Sequence, residues 1–161
     1  MKKVVLMMFL LAGYGVASAQ DEISYSYEEL AKYATVMVWA ELEKGRMTDI
    51  YNEWINNDET LAAARFVEIK NAGVDSIKLE EMKVADDEMV AFEMIQTNYD
   101  SMTSSFKEVY IEKIKSDIGA GLYNSLKKEL RSDSEVKGRY KAIYDGLLKE
   151  QSAEDGDESE D

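Results

Sequence analysis

The chain has no cysteine, no histidine and no proline among its 161 residues. Without cysteine or histidine there is no Ser-His-Asp triad, no cysteine nucleophile, no common zinc site, no covalent c-type haem attachment and no Glu-x-x-His di-iron pattern. No disulfide framework can support the fold, so stability has to come from burial. The lack of proline removes the strongest helix breaker from the whole length. Basic residues are also scarce, with 19 Lys and Arg against 33 Asp and Glu and a formal net charge of −14. Such a chain lacks the basic stripe that phosphate backbones require, and anionic lipid headgroups repel it. Nucleic acid is therefore excluded as a partner. A cationic partner, or a protein partner met through apolar surface, remains open.

Long apolar runs are absent except at the start. Lys2 and Lys3 precede an apolar run from Val4 to about Val16, followed by Ala17-Ser18-Ala19, which is the tripartite pattern of a secretory signal cleaved after Ala19. The run is shorter than the ~20 residues of a membrane-spanning helix, and no cysteine follows to carry a lipid. Residues 1–19 are thus read as a signal peptide, and the product as exported, periplasmic or secreted, without stable membrane insertion after cleavage. Cleavage leaves 17 basic and 33 acidic residues, a net charge of −16.

What is present is helical periodicity. Tyr27 to Asn56 carries Leu30, Tyr33, Met37, Ala40, Met47, Tyr51 and Trp54 at spacings of three and four, a single seam on a helix about 45 Å long. Ser26 and Glu29 form a capping box at its start. Trp39 lies on the opposite side, either under a second layer or open to a partner. Asn57-Asp58 supplies cap chemistry for a helix from Glu59 to Ala72, ended by Gly73. Residues 74–85 fit a short helix and a strand almost equally and are assigned as a short helix plus loop. Asp86 caps a second long helix, about 87–118, with Met89, Phe92, Ile95, Tyr99, Met102, Phe106, Val109, Tyr110 and Ile114 on its seam, ended by Gly119 and Gly121. A helix at about 121–131 follows. Ser132-Asp133-Ser134-Glu135 reads as a capping box opening a last helix to about 150.

The fold class is therefore all-α: an elongated up-and-down bundle of four to five helices forming one domain over 20–150. Gln151 to Asp161, with six acidic residues in eleven, reads as a disordered acidic tail. A shift of 59 residues aligns the two long helices, pairing Leu30 with Met89, Tyr33 with Phe92, Tyr51 with Tyr110 and Ile55 with Ile114. An internal repeat and chance alignment of two phased amphipathic helices both account for this. Lys44, the one charge within the first seam, pairs with Thr103. It either reaches Glu41 or Asp100 as a partly buried ion pair or snorkels to water.

Ile118-Gly119, Leu122-Tyr123-Asn124 and Asp133-x-Glu135-Val136 with Arg139, behind a long amphipathic helix and a signal peptide, resemble a family of exported, uncharacterised bacterial helical proteins carrying a domain of unknown function. The resemblance covers about 86–148, with a degenerate copy in 25–73. It implies an all-helical envelope protein and no catalytic residues; Tyr123-Asn124 is most simply a packing tyrosine and a polar neighbour.

No residue stands out as catalytic, cofactor-binding or metal-ligating, and no cofactor is implied. Carboxylate pairs can hydrolyse glycosides, but 33 acidic residues guarantee some pair at a suitable distance in any fold. The abundant Met is ordinary core packing or, on an exposed surface, an adaptable contact for varied apolar partners. The expectation is a non-enzymatic binding or interaction protein of the bacterial envelope, with a periplasmic holdase-type chaperone as the alternative.

Overall fold

The computed structural model describes residues 25–73 and 75–157, with side chains described as far as Gln151. Among these there are six α-helices and no strand: α1 Tyr27–Asn57, α2 Ala63–Ala72, α3 Ser76–Glu81, α4 Asp86–Lys113, α5 Ala120–Ser132 and α6 Ser134–Asp157. A π-helical segment, Ile114–Ile118, joins α4 to α5. The expected signal peptide and its expected cleavage site lie outside the described residues.

The helix starts show which side chains satisfy the free backbone N–H groups. At α1 the Ser26 hydroxyl accepts from the Glu29 N–H at 3.2 Å while the Glu29 carboxylate accepts from the Ser26 N–H at 2.8 Å, as the capping box requires. At α4 the cap residue is Ala85 rather than Asp86, and only half of the box exists: the Glu88 carboxylate accepts from the Ala85 N–H at 3.0 Å. Asp58 spends its carboxylate on the N–H groups of Thr60 and Leu61. That turn delays α2 to Ala63, four residues later than the expected start. The second Ser-led capping box is not formed either. Ser132 closes α5, and Asp133 alone caps α6, accepting from Glu135 and Val136 at 2.8 and 3.0 Å.

Six helices are present among the described residues where four or five were expected, because the short helix expected within 74–85 counts as an element of its own, α3. Gly73, at φ +67°, turns the chain out of α2, and Asp75 caps α3 through the N–H groups of Ile77 and Lys78. At the far end, α6 runs past Glu150 to Asp157, longer than the composition suggested. Gln151, Ala153 and Glu154 tolerate a helix already nucleated by packing.

The long helices α1 and α4 run antiparallel. Gln96 donates to the Tyr51 hydroxyl at 2.6 Å near one end of the pair, and the Tyr110 hydroxyl contacts Met37 Sδ at 3.7 Å near the other. These two contacts exchange under the 59-residue shift, which turns Tyr51 into Tyr110 and Met37 into Gln96. The long-helix members of the two apolar cores exchange as well. One joins Leu30, Tyr33 and Val36 of α1 to Ile114 and Ile118 after α4, Leu126 of α5 and Val136 of α6. The other joins Met89, Phe92 and Ile95 of α4 to Ile55 of α1, Phe66 and Ile69 of α2, and Leu79 of α3. Each long helix therefore gives its first half to one core and its last half to the other. The correspondence stops at the long helices: the shift carries Leu126 and Val136 of the first core onto Val67 and Ile77, which are exposed, so an internal repeat and two phased amphipathic helices crossing antiparallel account for it equally.

Two helical turns inward from either contact lie Lys44 and Thr103, which the 59-residue shift pairs. Lys44 is exposed and makes no ion pair with Glu41 or Asp100; its Nζ lies 5.7 Å above the Phe106 ring. The snorkelling arrangement holds, and the cross-helix ion pair does not form. Thr103 is the costly member, since its Oγ1 is buried without a hydrogen-bond partner. Thr103→Val keeps the shape and removes the unsatisfied hydroxyl, so it is expected to stabilise the protein by about 1–2 kcal/mol. A thermal midpoint equal to or below that of the wild type refutes this.

Trp39, opposite the seam, is covered by α4. Its ring stacks on Phe106 at 5.7 Å with Lys113 Nζ 5.0 Å above it. No helix among the described residues is long and apolar enough to cross a membrane.

Candidate ligand cleft

Five residues of α1, Tyr33, Met37, Ala40, Glu41 and Lys44, project from one stripe because they recur at spacings of three and four. In the first half of α1 this stripe faces α6, which is clasped to the start of α1 by the Arg139 guanidinium donating to the Tyr25 carbonyl at 2.7 Å. Tyr25 in turn shares a 2.6 Å hydrogen bond with Ser125 of α5. Between these helices lies a cleft of about 350 Å³ whose walls are completed by Tyr110 of α4, Leu130 of α5, and Tyr140 and Tyr144 of α6.

A π segment follows α4 just beyond Tyr110 and leads the chain toward α5. The Gly119 N–H bonds the Ile114 carbonyl at 2.8 Å, a five-residue closure that places one extra residue in the turn. Such bulges shift the register of the residues that follow. Ile118 is thereby buried together with Tyr110 and Ile114. Gly119 then takes φ +85° and ψ 135°, a conformation that side chains with a Cβ rarely adopt, and the chain reverses into α5.

The rings form a connected series. Trp39 stacks on Phe106, and Phe106 on Tyr110 at 5.8 Å. The hydroxyls of Tyr110 and Tyr123 meet at 3.3 Å. Tyr123 stacks on Tyr33 at 5.6 Å, and Tyr140 meets Tyr33 edge-on, also at 5.6 Å. Tyr140 and Tyr144, one turn apart on α6, lie 5.6 Å from each other. The Tyr144 hydroxyl ends the series by donating to the Glu41 carboxylate.

Burial sets the ionisation of these phenols. It pushes Tyr140 and Tyr110 well above the usual tyrosine range, with the Tyr33 ring adding to the effect at Tyr140 and the Tyr123 hydrogen bond adding to it at Tyr110. Burial, and then the bond to Glu41, push Tyr144 up to about 12. Burial also raises Tyr33. At neutral pH the cleft offers protonated phenols and aromatic faces, one carboxylate and one ammonium, and none of these phenols is poised as a base. Because the folded-state pKa values exceed the unfolded value near 10, this contribution to stability is complete below pH 10. It is lost as pH rises toward and through the folded values. Absorbance titration of phenolate should show a late group of tyrosines ionising together with loss of helicity, and Tyr140→Phe is expected to remove part of that group. Ionisation of all tyrosines near pH 10 with the helices intact contradicts this.

A larger hollow, about 600 Å³, lies between α2 and α3 among Glu68, Asn71, Ala72, Lys78, Glu81 and Met82. It is bigger but built worse. Most of its side chains are exposed, no ring lines it, and α3 offers no buried residue to shape it.

None of the cleft side chains stood out as a site in the sequence. Tyr123 packs as expected, and Asn124 beside it is exposed. The available signal was the tyrosine content, ten against four phenylalanines, together with the Tyr140/Tyr144 spacing. Phe92, which the 59-residue shift pairs with Tyr33, packs against Phe66 in the other core, whereas α6 with Tyr140 and Tyr144 has no counterpart, because the shift carries it across α3 and the start of α4.

No family model matches the chain, and no match is found among curated proteins or solved structures.

Proposed function

We propose that this protein is a non-enzymatic helical binding protein of the bacterial envelope, exported by the Met1 to Ala19 signal, and that its ligand sits in the tyrosine cleft. The observation that carries the reading is the convergence of Tyr33, Tyr110, Tyr140 and Tyr144 with Glu41 in a concave site of about 350 Å³. Apolar walls with a few converging polar groups are the usual build of a small-ligand pocket. The phenols act as donors and surfaces because burial keeps them protonated. The resemblance to exported bacterial helical proteins agrees with the envelope assignment.

The test is a thermal-shift screen of the chain from Gln20 onward against small organic cations, anions and neutral sugars, repeated with Tyr140→Leu. A ligand that binds the native state raises the midpoint in proportion to its concentration over its dissociation constant. Stabilisation by one chemical class, lost in the variant, supports the reading; a screen in which no class shifts the midpoint overturns it.

The chaperone alternative rests on Val67, Ile77, Val90 and Met94, apolar side chains exposed on α2, α3 and α4. Suppression of the aggregation of an unfolded client, weakened by Val90→Lys and Met94→Lys and indifferent to Tyr140→Leu, would move the function to that surface.

A further inference from the structure

We propose that the cleft is selective for a quaternary ammonium group, a permanently charged organic cation held on the faces of Tyr140 and Tyr144 beside the Glu41 carboxylate. This rests on the cleft being the binding site and adds the chemistry of its ligand.

The protein shows how its own rings treat cations. Four lysines place their ammonium groups over ring faces: Lys44 over Phe106 at 5.7 Å, Lys70 over Tyr51 at 5.2 Å, Lys113 over Trp39 at 5.0 Å and Lys127 over Tyr123 at 5.6 Å. These distances fall within the reach of cation–π attraction, about 6 Å. Tyr140 and Tyr144 carry no such lysine among the described residues, although they lie beside a carboxylate that no cation pairs. Glu41 has no ion-pair partner among the described residues; its one contact is the Tyr144 phenol. Aromatic faces and an anion without an ion pair thus meet in a cleft whose one ammonium, that of Lys44, lies over Phe106.

The sign of the charge follows from the surroundings. The cleft belongs to a chain of net charge −14, its phenols are held protonated, and an anion brought beside Glu41 would be repelled. Lys44 lines the cleft, but its ammonium lies over the Phe106 ring and over neither Tyr140 nor Tyr144.

The hydrogen-bond inventory selects the kind of cation. A primary ammonium taken from water needs acceptors for three N–H groups. Glu41 is the only carboxylate in the lining and one of its oxygens accepts from Tyr144, so a primary ammonium would have to complete its hydrogen bonds with the remaining carboxylate positions, phenol oxygens and water. A quaternary ammonium has no N–H to satisfy and is weakly hydrated, so ring faces and one nearby negative charge suffice. The volume of about 350 Å³ lies at the small end of ligand pockets, which suits a head group. Such a group belongs either to a free solute or to a lipid headgroup at a membrane surface, and the chemistry of recognition is shared.

The experiment titrates the chain from Gln20 onward with choline and, in parallel, with 3,3-dimethyl-1-butanol, its neutral isostere, followed by calorimetry and by the tyrosine ring resonances. Saturable binding of choline and at least about ten-fold weaker binding of the isostere are expected, because the ring faces discriminate by charge. Glu41→Gln should weaken choline about ten-fold at unchanged helicity, as loss of a unit charge beside the bound cation implies. Tyr140→Phe, which keeps the ring face, should bind as the wild type does. Equal binding of choline and isostere overturns the cation assignment while leaving the cleft a ligand site. Binding of neither, with no other stabilising ligand in the thermal-shift screen, removes both readings. Co-sedimentation with phosphatidylcholine vesicles, competed by free choline and absent with phosphatidylglycerol vesicles, assigns the group to a headgroup; choline binding without co-sedimentation assigns it to a free solute.

Discussion

Leu126→Ala is expected to destabilise the protein by about 2–5 kcal/mol. Leu126 is fully buried on α5, at the centre of the core shared by the first half of α1, the end of α4 and the start of α6. Its removal costs the transfer free energy of the lost atoms and a further amount for the cavity left behind, since the surrounding side chains collapse only in part. The same core carries Tyr123, Leu130 and Tyr140 at its edge. The cleft should therefore loosen along with the core, and ligand stabilisation should fall together with stability. Chemical denaturation measures the first effect and the thermal-shift response the second. A loss below 1 kcal/mol would show that α5 does not hold this half of the molecule together.

Phe66→Ala, in the other core, is expected to cost about 3–5 kcal/mol, the larger value reflecting the larger side chain. Phe66 is buried between Tyr51 of α1 and Phe92 of α4, with ring centroids 6.0 and 5.0 Å away. Ligand response is the contrast, because none of the side chains that pack with Phe66 lines the cleft. At a temperature where the variant remains folded, the cleft should bind its ligand with unchanged affinity. Unfolding should nevertheless remain one cooperative transition, since α1 and α4 each pass through both cores and neither core can melt without fraying a helix of the other. Two resolved transitions by calorimetry would show that the halves are independent.

Much of the helical layout was legible in the sequence because it is written in local chemistry. The seam of α1, the capping box at Ser26 and the glycines at 73 and 119 act over a few residues. Local rules misplaced the start of α2, where the Asp58 carboxylate takes the N–H groups of a turn instead of those of a helix. They also named the wrong cap at Ser132, because a helix in progress holds that serine back, its hydroxyl directed to Glu129. No sequence feature signalled the π segment, which is decided by how Ile114 and Ile118 find the core.

The site was less legible for a different reason. Glu41, Tyr110 and Tyr140 are far apart in the chain, and each alone is an unremarkable member of an amphipathic helix. Their convergence depends on the antiparallel crossing of α1 and α4 and on the Arg139 clasp that brings α6 alongside α1.

By itself the sequence determined the all-α class, the two long helices, most of their ends, the acidic charge and the chemistry excluded by the lack of Cys and His, because periodicity, capping and composition are properties of neighbouring residues or of simple counts. The tertiary structure alone decided that α1 and α4 cross antiparallel and each serve both cores, that Lys44 turns to Phe106 while Thr103 is stranded, and that the tyrosines gather around Glu41. Each of these depends on which helix faces which, and packing free energy summed over distant residues settles that.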